Sequence, residues 1–289
     1  MEPVRRRAAG QDAGTGGIGG AGEPAGISPP AVPDGWRAAP PDFVGVGAQR
    51  SGTTWWYEVI ASHPGVTIPP GRPKELHFFD RYCRVANVPA DSYHRYFPRP
   101  PGQLCGEWTP RYMYDYWTPP MLRRAAPRAK VLVMLRDPVE RFLSGLAMHL
   151  SFGFELNSRV YHQFWRGSYW SQLRTLLEYF DRSQLLVLQY EQCVADPAAQ
   201  ARRTFGFLGL DPAVTVEPAQ FTRRVSQTRA RKPAIDGATL SALRRSYQAE
   251  LGQLFAEFPE LDSSLWPSFG DACPRSVSGG VSGGVRGDG

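Results

Sequence analysis

Apolar residues along the 289-residue chain gather in three short unbroken runs, each followed by a segment with helical spacing. The first run, residues 43–46 (FVGV), ends in a glycine-rich loop, and residues 53–62 then read as a helix stopped by His63, Pro64 and Gly65. The second, residues 130–136 (KVLVMLR), is charged only at its ends, the pattern of a strand covered on both faces in a parallel sheet. Pro138 follows where the first turn of a helix belongs, with Phe142, Leu143, Leu146 and Leu150 at helical spacing behind it. The third run, residues 185–190 (LLVLQY), precedes a helical stretch over 197–208, and a last helix is expected over 240–258. Three strand-to-helix units with buried strands predict an α/β fold. It is a single domain, a parallel sheet flanked by helices, with its ligand at the carboxyl ends of the strands.

Composition sets the limits of that domain. Residues 1–37 are rich in Gly, Ala and Pro, and residues 271–289 repeat a Ser-Gly-Gly-Val unit. Neither can bury enough apolar area to offset its ordering entropy, so both are expected to be disordered tails around a domain of residues 38–270. With 42% hydrophobic and 21% charged residues, a fibrous or wholly disordered chain is excluded. No apolar run approaches the roughly 18 residues of a membrane helix. Arg5, Arg6 and Arg7 are followed by no apolar stretch of signal-peptide type. A cytoplasmic protein with no membrane insertion is expected. Cys83, Cys105, Cys193 and Cys273 show neither paired spacing nor a His at ligand spacing, and read as thiols of a reducing compartment with no metal site.

Charge adds a candidate ligand. The formal net charge is +6, and only Lys74, Lys130 and Lys232 are lysines among 33 cationic residues, leaving 30 arginines. A guanidinium binds phosphate or sulfate through two parallel hydrogen bonds and keeps its charge, so an anionic ligand is indicated. The arginines are spread along the chain rather than gathered in a stripe, which argues against a nucleic-acid partner.

Residues 47–54 (GAQRSGTT) have the spacing of a phosphate-binding loop between strand and helix. Thr53 stands where a nucleotide triphosphatase places its Lys, so the loop is suited to one phosphate and the anion bonded to it, held by backbone N–H groups and the helix N-terminus. Arg136 ends the second strand and Ser144 lies two turns into the next helix, a pair suited to a second phosphate at the same crevice.

These residues together resemble a known family. The loop from Gly47 to Trp55 is similar to the 5′-phosphosulfate loop of sulfotransferases that use 3′-phosphoadenosine 5′-phosphosulfate (PAPS), and residues 136–144 (RDPVERFLS) are similar to their 3′-phosphate motif. Residues 74–80 (KELHFFD), 91–98, 107–110 (EWTP), Tyr190 with Glu191, and Asp196 with Pro197 resemble the heparan-sulfate-type branch. The resemblance covers roughly residues 41–267. It implies a PAPS-dependent sulfotransferase that leaves 3′-phosphoadenosine 5′-phosphate (PAP) as product and needs no metal. Ser51, Gly52, Thr53, Thr54, Arg136 and Ser144 would bind the nucleotide, with Arg229 or Arg231 in a closing basic loop. Glu75 would be the general base and Arg50 the cation at the leaving oxygen. His77 would position the acceptor or share the proton work, a strand placing it on the same side as Glu75.

Two departures bear on the acceptor and the chemistry. Arg50 replaces the Lys usual in the related glycan enzymes, retaining charge without a transferable proton. Trp108 replaces a Lys, which disfavours a polyanionic glycan and, with Trp55, Trp56, Trp117, Trp165 and Trp170, suggests a flat pocket for a small aromatic or glycosylated natural product. The alternatives are a small-molecule kinase sharing the loop, or a non-catalytic nucleotide-binding module.

Overall fold

The structure, a computed structural model, describes residues 27–80, 82, 89–153, 160–222 and 232–269. The first half of the chain runs β1 (Arg37–Ala38), β2 (Phe43–Gly47), α1 (Thr53–Ala61), α2 (Ala90–His94), β3 (Pro98–Arg99), β4 (Gly106–Trp108), α3 (Thr118–Ala125) and β5 (Lys130–Leu135). The second runs α4 (Pro138–Ser151), α5 (Val160–Trp165), α6 (Tyr169–Leu177), β6 (Leu185–Gln189), α7 (Tyr190–Ala195), α8 (Pro197–Leu208), α9 (Pro218–Thr222) and α10 (Gly237–Glu257). β4, β2, β5 and β6 form, in that order, a sheet in which every neighbouring pair is parallel. β1 and β3 make a separate antiparallel ribbon.

Alternation along the strands divides the core into two layers. Val131, Val133 and Leu135 of β5, with Val44, Val46 and Val187, face the side covered by α4, α6 and α10. Leu132 and Met134, with Phe43, Leu186 and Leu188, face α1 and α8. A strand buried on both faces cannot alternate apolar with polar, which is why these segments read as continuous apolar runs. The α/β fold with a parallel sheet flanked by helices is therefore observed as expected.

Two local devices set the end of the sheet that carries the loop. A Cβ on Gly45 would stand 2.0 Å from the Trp108 ring, so β2 needs glycine where the indole of β4 lies across it. The Trp108 Nε1–H donates to the Gly47 carbonyl at 3.1 Å. Asp137 caps α4 by accepting from the Val139 and Glu140 amides at 2.9 and 3.1 Å, while its own amide donates to Glu191 Oε1 at 3.0 Å. The ends of β5 and β6 are thereby tied together. The last helix starts at Gly237, three residues before the expected position, because Asp236 accepts from the Thr239 amide at 2.9 Å and caps it.

Upstream of residue 38 the chain already contacts the domain, Tyr96 donating its hydroxyl to the Ile27 carbonyl at 2.9 Å. Among the described residues no helix is long and apolar enough to cross a membrane. Cys105 and Cys193 are buried free thiols, and burial pushes the Cys105 thiol up to about 11. Cys83 and Cys273 lie outside the described residues.

Candidate active site

The glycine-rich loop leaves β2 and turns into α1 through two left-handed residues, Arg50 at φ 70° and Gly52 at φ 87°. A Cβ on Gly52 would also lie 2.7 Å from the Tyr190 ring, so both backbone and space demand glycine there. The Ala48 amide anchors the loop to β5 by donating to the Met134 carbonyl at 2.8 Å. No side chain caps α1. Its first-turn N–H groups, which carry the positive end of the helix dipole, are left to an outside acceptor. Ser51 Oγ is buried without a hydrogen-bond partner among the described residues. An orphaned hydroxyl beside an uncapped helix start is the cradle a phosphate or sulfate would complete.

Arg136 and Ser144 reach the same crevice from β5 and α4. The Arg136 guanidinium lies over the Tyr190 ring at 5.1 Å and pairs with Glu140 at 3.2 Å. Ser144 accepts from Arg50 Nε at 3.1 Å, and Arg50 Nη1 approaches Met148 Sδ at 3.8 Å. Burial, followed by the charges of Arg136 and Arg141, pulls the Arg50 pKa down. Like cations thus crowd around the loop and the start of α4, which favours binding of a multiply charged anion. Lys232 donates to Glu140 from the segment preceding α10. Arg229 and Arg231 lie outside the described residues.

The third component is the segment 74–80, which lies beside the loop as an irregular turn. Lys74 Nζ is 3.3 Å from Thr53 Oγ1 and 2.8 Å from Glu75 Oε1. Glu75 Oε2 lies 3.3 Å from His77 Nε2, whose Nδ1 is 2.6 Å from Asp80 Oδ2. Burial raises the Glu75 carboxyl, but the His77 hydrogen bond and the Lys74 charge outweigh it and hold the group below its usual range. His77 is pushed up to about 9, first by the hydrogen bond to Asp80 and then by Glu75, against burial. At neutral pH the site therefore holds a carboxylate between an ammonium and an imidazolium.

This turn is held from below by residues 107–112. Glu107, fully buried, accepts from the Leu76 amide at 3.0 Å, from Tyr93 at 2.6 Å and from Tyr112 at 3.1 Å. The His77 amide donates to Thr109 Oγ1 at 3.3 Å and the Phe78 amide to the Tyr112 hydroxyl at 2.8 Å. Arg166 donates to Gln49 of the loop and lies 5.1 Å over the Tyr114 ring. Burial first, then the charge of Arg141, lowers its pKa to about 10.

Comparison with known proteins identifies the family. The sulfotransferase domain family matches residues 40–238, more than half of the chain. The chain belongs to the sulfotransferase domain family. Human and mouse heparan sulfate glucosamine 3-O-sulfotransferase 6 are 32% and 31% identical to it over 190 residues, 61% of this chain and 54% of each relative. The chain thus spans about half the length of these curated relatives. The crystal structure of a sulfotransferase from Alicyclobacillus acidocaldarius shares the fold with a TM-score of 0.64 and 24% identity, over 79% of this chain and 99% of that one.

Within this sulfotransferase domain, Arg50, Ser51, Gly52, Thr53, Thr54, Glu75, His77, Arg136 and Ser144 converge on one end of the sheet, and three expectations need correction. Residues 75–77 form no strand. His77 shares a side with Glu75 because its backbone turns into the left-handed region, φ 51°, where the two side chains meet. The six tryptophans do not share one surface: Trp56 and Trp108 are completely buried, Trp55 and Trp117 donate to the Gln220 and Phe79 carbonyls at 3.0 and 3.3 Å, Trp170 packs against the core, and Trp165 is exposed. Trp108 fills the space over Gly45, so it cannot present a face to an acceptor, while the position still carries no cation. Asp80 and Glu107 were given no role from sequence. Asp80 could have been found three residues beyond His77, whereas nothing local marks Glu107 as the support of a distant turn.

Proposed function

We propose that this protein is a sulfotransferase that moves the sulfuryl group of PAPS to a hydroxyl of a saccharide or glycosylated small-molecule acceptor. The observation that carries the reading is the meeting of Glu75 with the phosphate-type loop through Lys74, whose ammonium touches both. The residues present suit a nucleotide with two anionic ends. The amides and hydroxyls of residues 51–54 suit the phosphosulfate, and Arg136 with Ser144 suits the 3′-phosphate, with Arg229 or Arg231 proposed to close over it. Among the described residues no cluster of His, Cys, Asp or Glu could hold a metal ion.

Glu75 would take the acceptor proton as the hydroxyl oxygen approaches sulfur. A carboxylate held below its usual range is a modest base but is ionised at every physiological pH, and it gains basicity as positive neighbours are drawn to the departing anion. His77 is charged at neutral pH, so it suits orienting Glu75 and the acceptor rather than removing the first proton. Arg50 would lend charge to the leaving oxygen. The saccharide class is supported by the relatives, whose names describe them as heparan sulfate enzymes. With Trp56 and Trp108 completely buried, two of the six tryptophans offered for a flat aromatic acceptor are withdrawn from it. Glu75→Gln is expected to lower kcat by about 10²–10⁴-fold while PAP affinity is kept. The assay is mass spectrometry for addition of one SO₃ group across oligosaccharides, glycosides and phenols with PAPS supplied. Tight ATP–magnesium binding with no calorimetric response to PAP would overturn the reading in favour of a kinase.

A further inference from the structure

Lys74 is the group that joins the two halves of the candidate site. Its side chain is 13% exposed, and its ammonium lies 3.3 Å from Thr53 Oγ1 in the loop and 2.8 Å from Glu75 Oε1. Of the three lysines in the chain, Lys130 donates to the Phe207 carbonyl and Lys232 to Glu140 beside Arg136, whereas Lys74 is the one that brings an ammonium proton to both Thr53 and Glu75. Arg50, directed to Ser144 and Met148, has a guanidinium, which is a permanent cation and a very poor proton donor. We propose that Lys74 is a catalytic proton relay, delivering to the leaving phosphate oxygen the proton that Glu75 removes from the acceptor. The inference rests on the sulfotransferase reading and assigns this residue its part in it.

The proton and electron balance closes. The acceptor oxygen forms a bond to sulfur as Glu75 takes its hydroxyl proton, and the bond from sulfur to the bridging oxygen breaks with its electron pair remaining on the phosphate. Lys74 gives that oxygen a proton and becomes the neutral amine. The protonated Glu75, in hydrogen-bond contact with that amine, returns its proton to it, so both side chains regain their starting states. The net result is a sulfate ester, PAP and the acceptor's proton carried away on the phosphate. Burial is the largest influence on Lys74 and lowers its pKa, bringing the ammonium closer to the range in which proton transfer is productive.

The test compares Lys74→Arg, which keeps charge without a labile proton, with Lys74→Met, using the full chain. Both variants should lose on the order of 10²-fold or more in kcat, with the Kd for PAP changed by less than about 10-fold because the remaining loop contacts persist. A second readout does not depend on turnover. Calorimetry of PAP binding in buffers of different ionisation heat should show proton uptake at alkaline pH by the wild type, since a bound anion favours the ammonium form, and this uptake should fall in Lys74→Met to the part that His77 contributes, a part removed by His77→Gln. Lys74→Arg turning over at the wild-type rate would overturn the relay, and unchanged proton uptake in Lys74→Met would do so independently. Failure of the wild type to bind PAP at all would instead sink the sulfotransferase reading, and circular dichroism of each variant separates misfolding from lost chemistry.

Discussion

At His77 the fold has made a weak base into a persistent cation. Contacts with Asp80 and Glu75 raise its pKa from 6.5 to about 9, so the folded chain binds this proton more tightly than the unfolded chain does. The resulting stabilisation is fully present below about pH 6.5 and is lost as pH rises through about 9. The Tm of the wild type should therefore fall more between these values than that of His77→Gln, and equal slopes for the two would refute the assignment. Asp80→Asn removes the largest cause of the shift and should move the His77 titration, followed by proton NMR, to lower pH. Legibility differs sharply among such residues. Glu75 stands out in sequence because the motif around it does, whereas the charge state of His77 depends on a carboxylate brought to 2.6 Å by a left-handed turn at its own backbone.

At the scale of elements, β2 and β4 show how packing constrains an otherwise permissive strand. Gly45 accepts no side chain because the Trp108 ring occupies that volume. Gly45→Ala should cost about 1–3 kcal/mol through overpacking, read as a lower denaturant midpoint at unchanged m. Combined with Trp108→Leu, which vacates the space, the two losses should be less than additive. Strands β2, β5 and β6 and the helices α1, α4 and α8 were legible because apolar runs, Pro at a first turn and glycine at helix ends are local signals, whereas the three-residue β4 carries no such run. The 74–80 turn was not, since its shape comes from hydrogen bonds donated to Glu107, Thr109 and Tyr112, thirty or so residues away along the chain. Trp108 was misread for the same reason. Its residue type was visible, but its place under β2 was not.

Over the whole molecule, a net charge of +6 is a diffuse property, while Arg50, Arg136, Arg141 and Arg166 influence one another around a single crevice. Binding of PAP should accordingly weaken as salt is raised, and Arg136→Ala should raise its Kd by roughly 10- to 100-fold, the worth of one charge-assisted contact. Titration calorimetry at two ionic strengths checks both, and an affinity indifferent to salt would argue against an anion site here.

The sequence alone determined the parallel α/β architecture, the glycine-rich loop between β2 and α1, and the placing of Arg136 and Ser144 at the same end of the sheet. Each depends on residues close together in the chain or on an apolar pattern of short period. Tertiary structure decided the rest. It buried Trp108, charged His77, and set the Lys74 ammonium between the loop and Glu75. Those outcomes depend on distances between segments remote in sequence, and burial and electrostatic coupling are functions of such distances rather than of residue type.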